Sequence, residues 1–214
     1  TLNAAIARAR GSLIVPFGSD DIMVPERLAL QVDFMQGKPE VGICAGNIEE
    51  IDPWGLRIAP ARLHPARRLS FDDIFEHRLP GAPAATLMFR REALERVGGF
   101  DPDIRLEDLL IQLKITHAGY CIDVLEPVLA QYRVHPTNTY KNYRFMLEHV
   151  LRSYAQFSAH PSYPQVCQRF RQSMFLKAAG ADRALAWELL QQMPLRAWNL
   201  KTVRGVLRLL RPWA

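Results

Sequence analysis

The chain has 214 residues, 49% hydrophobic and 23% charged, enough apolar material to build a core and too much for a disordered segment. No apolar run approaches the roughly 20 residues of a membrane-spanning helix, and the first residues show neither the basic nor the hydrophobic region of a secretion signal. The net charge of +5 resides in residues 196–214, where Arg196, Lys201, Arg204, Arg208 and Arg211 meet no acid, so the remainder of the chain is neutral on balance and does not read as a nucleic-acid surface.

In chain order, Leu2, Ile6 and Ala9 share one face of a helix that Gly11 ends. SLIVPF (12–17) reads as a short buried strand. Pro25-Glu26-Arg27 open a helix reaching about Gln36, and VGICAGN (41–47) is a second apolar strand after the turn GKPE. Strand, crossover helix and strand imply a parallel pair with helices covering the sheet. Residues 48–80 are rich in Pro, Arg and His and hold no period. They read as a long surface excursion with a short helix near Phe71 to His77, the kind of segment that serves as a lid or binding loop.

AATLMF (84–89) is the next strand, REALERVG (91–98) a short helix closed by Gly98 and Gly99, and Glu107 to His117 a further helix stopped by Gly119. CIDVL (121–125) and VLAQYRV (128–134) read as two strands parted by Pro127. Beyond HPTNTYKNY the pattern is helical only, at about 141–158, 164–179, 182–192 and 198–210, which places a boundary near residue 140. In the last helix Leu200, Val203, Leu207, Leu210 and Trp213 alternate with basic residues. That pattern suits either an anionic membrane surface or an ordinary packing helix, and no nucleic-acid partner is expected. Cys44, Cys121 and Cys167 are odd in number and widely spaced, which fits reduced thiols in a reducing compartment better than a disulfide framework or a zinc site.

Three constellations can carry chemistry. Asp20-Asp21, in PFGSDDIMVPERL, follow an apolar strand at the end where open α/β sheets take their ligands. Adjacent carboxylates repel unless a cation lies between them, and Mg²⁺ or Mn²⁺ takes carboxylate and phosphate oxygens; the alternative is that Ser19 or Asp20 caps the following helix. Glu107-Asp108 open a helix, where the macrodipole alone favours acids but where a carboxylate is also placed to act as a general base. His135 stands in a polar loop after a strand, either solvated or completing a metal or phosphate site. Gly-rich phosphate loops, GxSxG elbows and HExxH motifs are absent from the sequence.

Taken together, LNAAIARARGSLIVPFGSDDIMVPERLALQVDFMQGKPEVGICAGN, AATLMFRREALERVGGFDPDIRLEDLLIQLKITHAGY and VLAQYRVHPTNT resemble, in order and spacing, the family 2 glycosyltransferases of GT-A fold. The resemblance implies an α/β fold, a partial GT-A (Rossmann-like) mixed sheet flanked by helices over residues 1–140. An α-helical region would follow at 141–214. It implies that Asp20 is the metal ligand of a DXD-type motif with Asp21 beside it, and that His135 lies near the metal and diphosphate. Asp108 of the Glu107-Asp108 pair would be the base on the acceptor hydroxyl. Gly18 departs from the family, which usually has an aspartate at that position.

The implied reaction is an inverting transfer from a nucleotide-diphosphate sugar, with Mg²⁺ or Mn²⁺, to a glycan or lipid-linked acceptor. The implied setting is cytoplasmic, peripheral on the inner membrane face, in cell-surface polysaccharide synthesis. The family's first βα units have no counterpart before Thr1. The expectation is therefore a fragment, inactive by itself, whose exposed sheet edge pairs with the missing N-terminal half or in a homo-oligomer. The competing expectation is a non-catalytic glycosyltransferase-like module acting in binding or assembly, for which Gly18 and the absent units speak.

Overall fold

A computed structural model describes residues 2–61 and 63–210, in two compact units that separate between Pro136 and Thr137. The first unit is mixed α/β. Its strands are β1 (Leu13–Ile14), β2 (Ile22–Met23), β3 (Val41–Ile51), β4 (Arg67–Leu69), β5 (Met88–Arg90) and β6 (Cys121–Arg133). Its helices are α1 (Leu2–Arg8), α2 (Arg27–Met35), α3 (Phe71–Phe75), α4 (Arg91–Arg96) and α5 (Glu107–His117).

The spine of this sheet is the parallel pairing of β3 with β6, which runs from Val41 opposite Cys121 to Ile51 opposite Arg133. Nearly every residue of β3 is buried, because both faces of a parallel pair are covered, and this explains why VGICAGN shows no alternation. Pro127 does not divide β6 into two strands, as its sequence suggests. The register slips around it, with Ala45 opposite Val124 and Asn47 opposite Val128, so the proline sits in a bulge where its missing N–H breaks no ladder bond. Asn47 secures the bulge by donating to the Glu126 carbonyl at 2.6 Å and to the His64 carbonyl at 2.9 Å. Gly46 is required beside it, since a Cβ there would stand 2.5 Å from the Leu129 side chain.

Further sequence expectations are corrected. β1 and β3 are not neighbours: β5 lies between them, antiparallel to both, in the order β1-β5-β3-β6-β2. β1 is thus an edge strand of the described sheet. Ala84–Thr86, expected as strand, is a 3₁₀ turn ahead of β5. The excursion holds β4, antiparallel to β6, where Arg68 makes a bidentate pair with Asp123 at 2.7 Å on both oxygens. A three-residue strand containing two arginines offers no period to read.

Arg27 is fully buried. Its guanidinium donates to Gln31 Oε1 at 2.9 Å, the Ala85 carbonyl at 2.7 Å and the Leu87 carbonyl at 3.1 Å, and it lies over the Phe17 ring at 5.2 Å. Burial pushes its pKa down to about 10, so it stays charged at neutral pH. It therefore fixes the segment from Ala85 to Leu87 by charge-assisted bonds in a dry setting.

The second unit contains α6 (Tyr143–Ala155), α7 (Tyr163–Ala178), α8 (Arg183–Gln191) and α9 (Leu200–Leu210). Asn142 caps α6 and Asp182 caps α8, each accepting from a backbone N–H in the first turn. The core gathers Met174, Phe175, Leu185, Leu189 and Leu209. Gln172 reaches the Ala197 carbonyl and accepts from Asn199 at 2.7 Å, which fixes the turn that starts α9. The face of α9 that packs is Thr202, Gly205 and Leu209, not the leucine stripe seen in the sequence. Arg211 and Trp213, assigned to that stripe and its basic flank, lie outside the described residues. Among those described, no helix is long and apolar enough to cross a membrane, and Cys44, Cys121 and Cys167 are free thiols.

Replacing Arg27 by Met would strand three buried acceptors. The expected result is a loss of about 3 kcal/mol of unfolding free energy in urea titrations followed by circular dichroism. An unchanged midpoint would show that the guanidinium holds nothing.

Candidate functional site

After β1 the chain runs through Pro16 and Phe17 into the turn Gly18 to Asp21 and returns as β2. β2 pairs antiparallel with β6, Ile22 opposite Gln131 and Met23 opposite Ala130. That pairing carries the acidic turn to the C-terminal end of β6. Arg133 then fastens it. Its backbone N–H donates to Asp21 Oδ1 at 2.9 Å, and its Nε donates to the Asp20 carbonyl at 2.7 Å. Nη1 of the same side chain reaches the carbonyls of Asp52 and Pro53, each at 2.9 Å. His135 Nε2 lies 3.2 Å from Asp20 Oδ2. Asp20 and His135, 115 residues apart in sequence, therefore meet, with Asp21 next to Asp20 on the same turn.

Gly18 has a local reason. Both carboxylates converge on it, and a Cβ there would stand 3.1 Å from Asp20 Oδ1 and 3.3 Å from Asp21 Oδ2. A larger residue would crowd the pair.

Asp21 also faces a cavity of about 370 Å³ whose wall includes Phe17, Phe89, Phe100 and Tyr132, and which Glu107 and Asp108 line as well. The two acidic pairs, read separately in the sequence, thus share one cavity, while Asp20 and His135 are not part of its lining. Asp108 stands in the first turn of α5, where its carboxylate accepts from the N–H of Leu109. Burial raises its pKa above 3.8 despite that bond, and the neighbouring charge of Glu107 adds to the rise. Asp21 is raised from 3.8 chiefly by burial, opposed by the Arg133 N–H and reinforced by Asp20.

Arg27 belongs to this site at one remove, since the Ala85 and Leu87 that it holds are part of the cavity wall. Neither it nor Arg133 announces itself in the sequence: one sits in a helix start and the other at a strand end. A second, larger cavity of about 470 Å³ lies in the excursion, lined by Asn47, Glu50, His64, Arg67 and Pro83 among others. Burial lowers the pKa of Arg67 there, and its Nε and Nη2 donate to the carbonyls of Pro80 and Gly81.

A mixed α/β unit with its acids gathered at strand ends and a helix start has the architecture that the resemblance to glycosyltransferases implies. The family model for glycosyl transferase family 2 matches residues 1–98 of this chain. The match contains Asp20 and Asp21; Glu107, Asp108 and His135 lie beyond it. The amylovoran biosynthesis glycosyltransferase AmsE of Erwinia amylovora is 25% identical over 138 residues, covering 62% of this chain and 48% of that protein. The chain thus spans about half the length of the curated relative it matches. Among solved structures, the mannosyltransferase PcManGT from Pyrobaculum calidifontis, in complex with GDP-Man and Mn²⁺, is 17% identical with a TM-score of 0.49, over 97% of this chain and 63% of that one. TarS 1-349 from S. aureus is 16% identical with a TM-score of 0.47, over 91% and 60%.

A raised carboxylate pKa has a thermodynamic sign. The folded state holds the proton of Asp108 more tightly than the unfolded chain, so the stability this contributes is present below 3.8 and lost as pH rises through the folded value. Asp108→Asn is therefore expected to melt a few degrees higher than the parent chain at neutral pH. The gap should close as the pH falls towards 3.8, in thermal unfolding scans across that range.

Proposed function

We propose that this chain carries the metal and acceptor side of an inverting glycosyltransferase that uses a nucleotide-diphosphate sugar. The observation that carries the reading is that Asp21 and Asp108 line one cavity while Asp20 and His135 stand 3.2 Å apart at its border turn. A carboxylate and an imidazole, both partly exposed and the first on a turn fastened by Arg133, are donors that suit a divalent ion such as Mg²⁺ or Mn²⁺. Asp20 and His135 would hold it, with Asp21 beside them. When bound, the ion supplies Lewis-acid stabilisation for a departing diphosphate.

The chain's own groups do the rest. Asp108, half-buried with a raised pKa, accepts the proton of an acceptor hydroxyl as that oxygen attacks the anomeric carbon. One displacement with one base inverts the configuration. Glu107 adds the neighbouring charge that raises proton affinity at Asp108. Phe17, Phe89, Phe100 and Tyr132 give the cavity aromatic walls against which a sugar ring can pack.

The relative's name ties that protein to amylovoran biosynthesis, and from it we carry over a role in cell-surface polysaccharide assembly, with a glycan or lipid-linked acceptor. The setting this implies is the cytoplasmic face of a membrane. A second reading, a non-catalytic module of the same fold, is favoured by Gly18 in place of the family's usual acid.

The full-length protein, incubated with UDP-, GDP- and dTDP-sugars and Mn²⁺, decides between them. Asp20→Ala and Asp108→Asn are each expected to lower kcat/KM by about 100-fold or more, and chelation should abolish turnover. The log of kcat/KM should climb with pH through the raised pKa of Asp108 and then level, because only the ionised carboxylate takes a proton. Undiminished transfer in both variants would sink the catalytic assignment.

A further inference from the structure

α9 has three faces. At about 100° per residue, Thr202, Gly205 and Leu209 fall in one sector and are buried, Lys201, Arg204 and Arg208 fall in a second, and Leu200, Val203, Leu207 and Leu210 fall in a third. The third sector is open to solvent, Leu200 by 78%, Val203 by 47%, Leu207 by 59% and Leu210 by 64%. Its centre lies about 145° round the helix from the buried sector and about 110° from the basic one.

Packing of the helix does not account for this row, because the helix is already anchored by another face. Gly205 lies so close to Phe175 that a Cβ would stand 2.3 Å from the ring. Asn199 caps the first turn by accepting from Lys201 and Thr202 at 2.9 and 3.1 Å. Single exposed leucines are ordinary, but four aliphatic residues in register make a continuous row about 15 Å long. Beside it, Arg196, Lys201, Arg204 and Arg208 meet no acid anywhere after Glu188 in the sequence. Arg208 leans on the Leu176 carbonyl at 3.4 Å. The ion pairs among the described residues of this unit are made by Arg144 and Arg152, which leaves Lys201 and Arg204 outside them.

We propose that this face docks the chain on an anionic phospholipid bilayer, with the aliphatic row in the headgroup and acyl boundary and the basic row on the phosphates. Charge complementarity selects this occupant. A second copy would bring two basic rows together, and a nucleic acid would use the cations and leave the aliphatic row wet. The proposal stands on α9 alone and does not depend on the transferase reading.

Flotation of the 214-residue chain with phosphatidylglycerol-rich vesicles, against pure phosphatidylcholine vesicles, tests it. Binding is expected to the first and not the second, weakening with salt. Leu207→Ser should reduce it by about tenfold or more, and Lys201→Gln with Arg204→Gln by about 25-fold, at roughly fivefold per basic residue. Circular dichroism melts of the same variants should match the parent, since all three positions are exposed. Equal binding to both vesicle types, no binding, or variants that bind as the parent does would each overturn the proposal. So would a dimer in sedimentation velocity that Leu207→Ser dissociates while vesicles capture nothing, or salt-sensitive capture of RNA in their place.

Discussion

The arrangement of the acidic site depends on Arg133. One residue at the end of β6 contributes a backbone N–H to the Asp21 carboxylate and a guanidinium that spans the Asp20 carbonyl and the carbonyls of Asp52 and Pro53. Two neighbouring carboxylates repel, and a turn that carries them opens unless something holds its backbone. On Asp20 the restraint acts through the backbone carbonyl, so its side-chain oxygen remains available to His135. The same guanidinium ties the start of the excursion to the turn, so two stretches far apart in sequence share one anchor.

Charge in this unit is arranged by what is left uncompensated. Arg27 is buried on carbonyls and an amide with no carboxylate among its hydrogen-bond partners, and its positive field favours the ionised form of Asp21 nearby. Asp21 and Asp108 feel the opposite pull, burial favouring the proton. The cavity that holds both is lined mostly by apolar and aromatic side chains, and that low-dielectric wall is what lifts their affinity for protons.

Much of this was readable in the sequence, for reasons that differ by element. α5 runs from Glu107 to His117 as the helical period predicts, because acids at the start and Gly119 at the end are local signals. The helices of the second unit are legible in the same way. What the sequence concealed is pairing. Nothing local in AATLMF says that β5 inserts between β1 and β3, since that depends on which edge bonds remain free after β3 and β6 have joined. Pro127 misled because a proline normally ends a strand, and only the bulge opposite Asn47 accommodates it. Asp20, Asp21, Glu107, Asp108 and His135 could be singled out as residues able to carry chemistry. Arg27 and Arg133 could not, because a positioning residue is defined by the carbonyls it reaches, and those lie 58 to 113 positions away.

The long parallel ladder between β3 and β6 also constrains how the chain is made. Val41 and Cys121 are about 80 residues apart, and β5, the other neighbour of β3, emerges roughly 45 residues after it. At about 5–20 residues per second, a ribosome needs roughly 4–16 seconds to deliver β6 after β3 has left the exit tunnel. During that interval VGICAGN is an unpaired, apolar, uncharged segment, the kind that associates with other nascent chains. The bulge at Pro127 that shapes the finished sheet is thus among the last parts of the ladder to arrive.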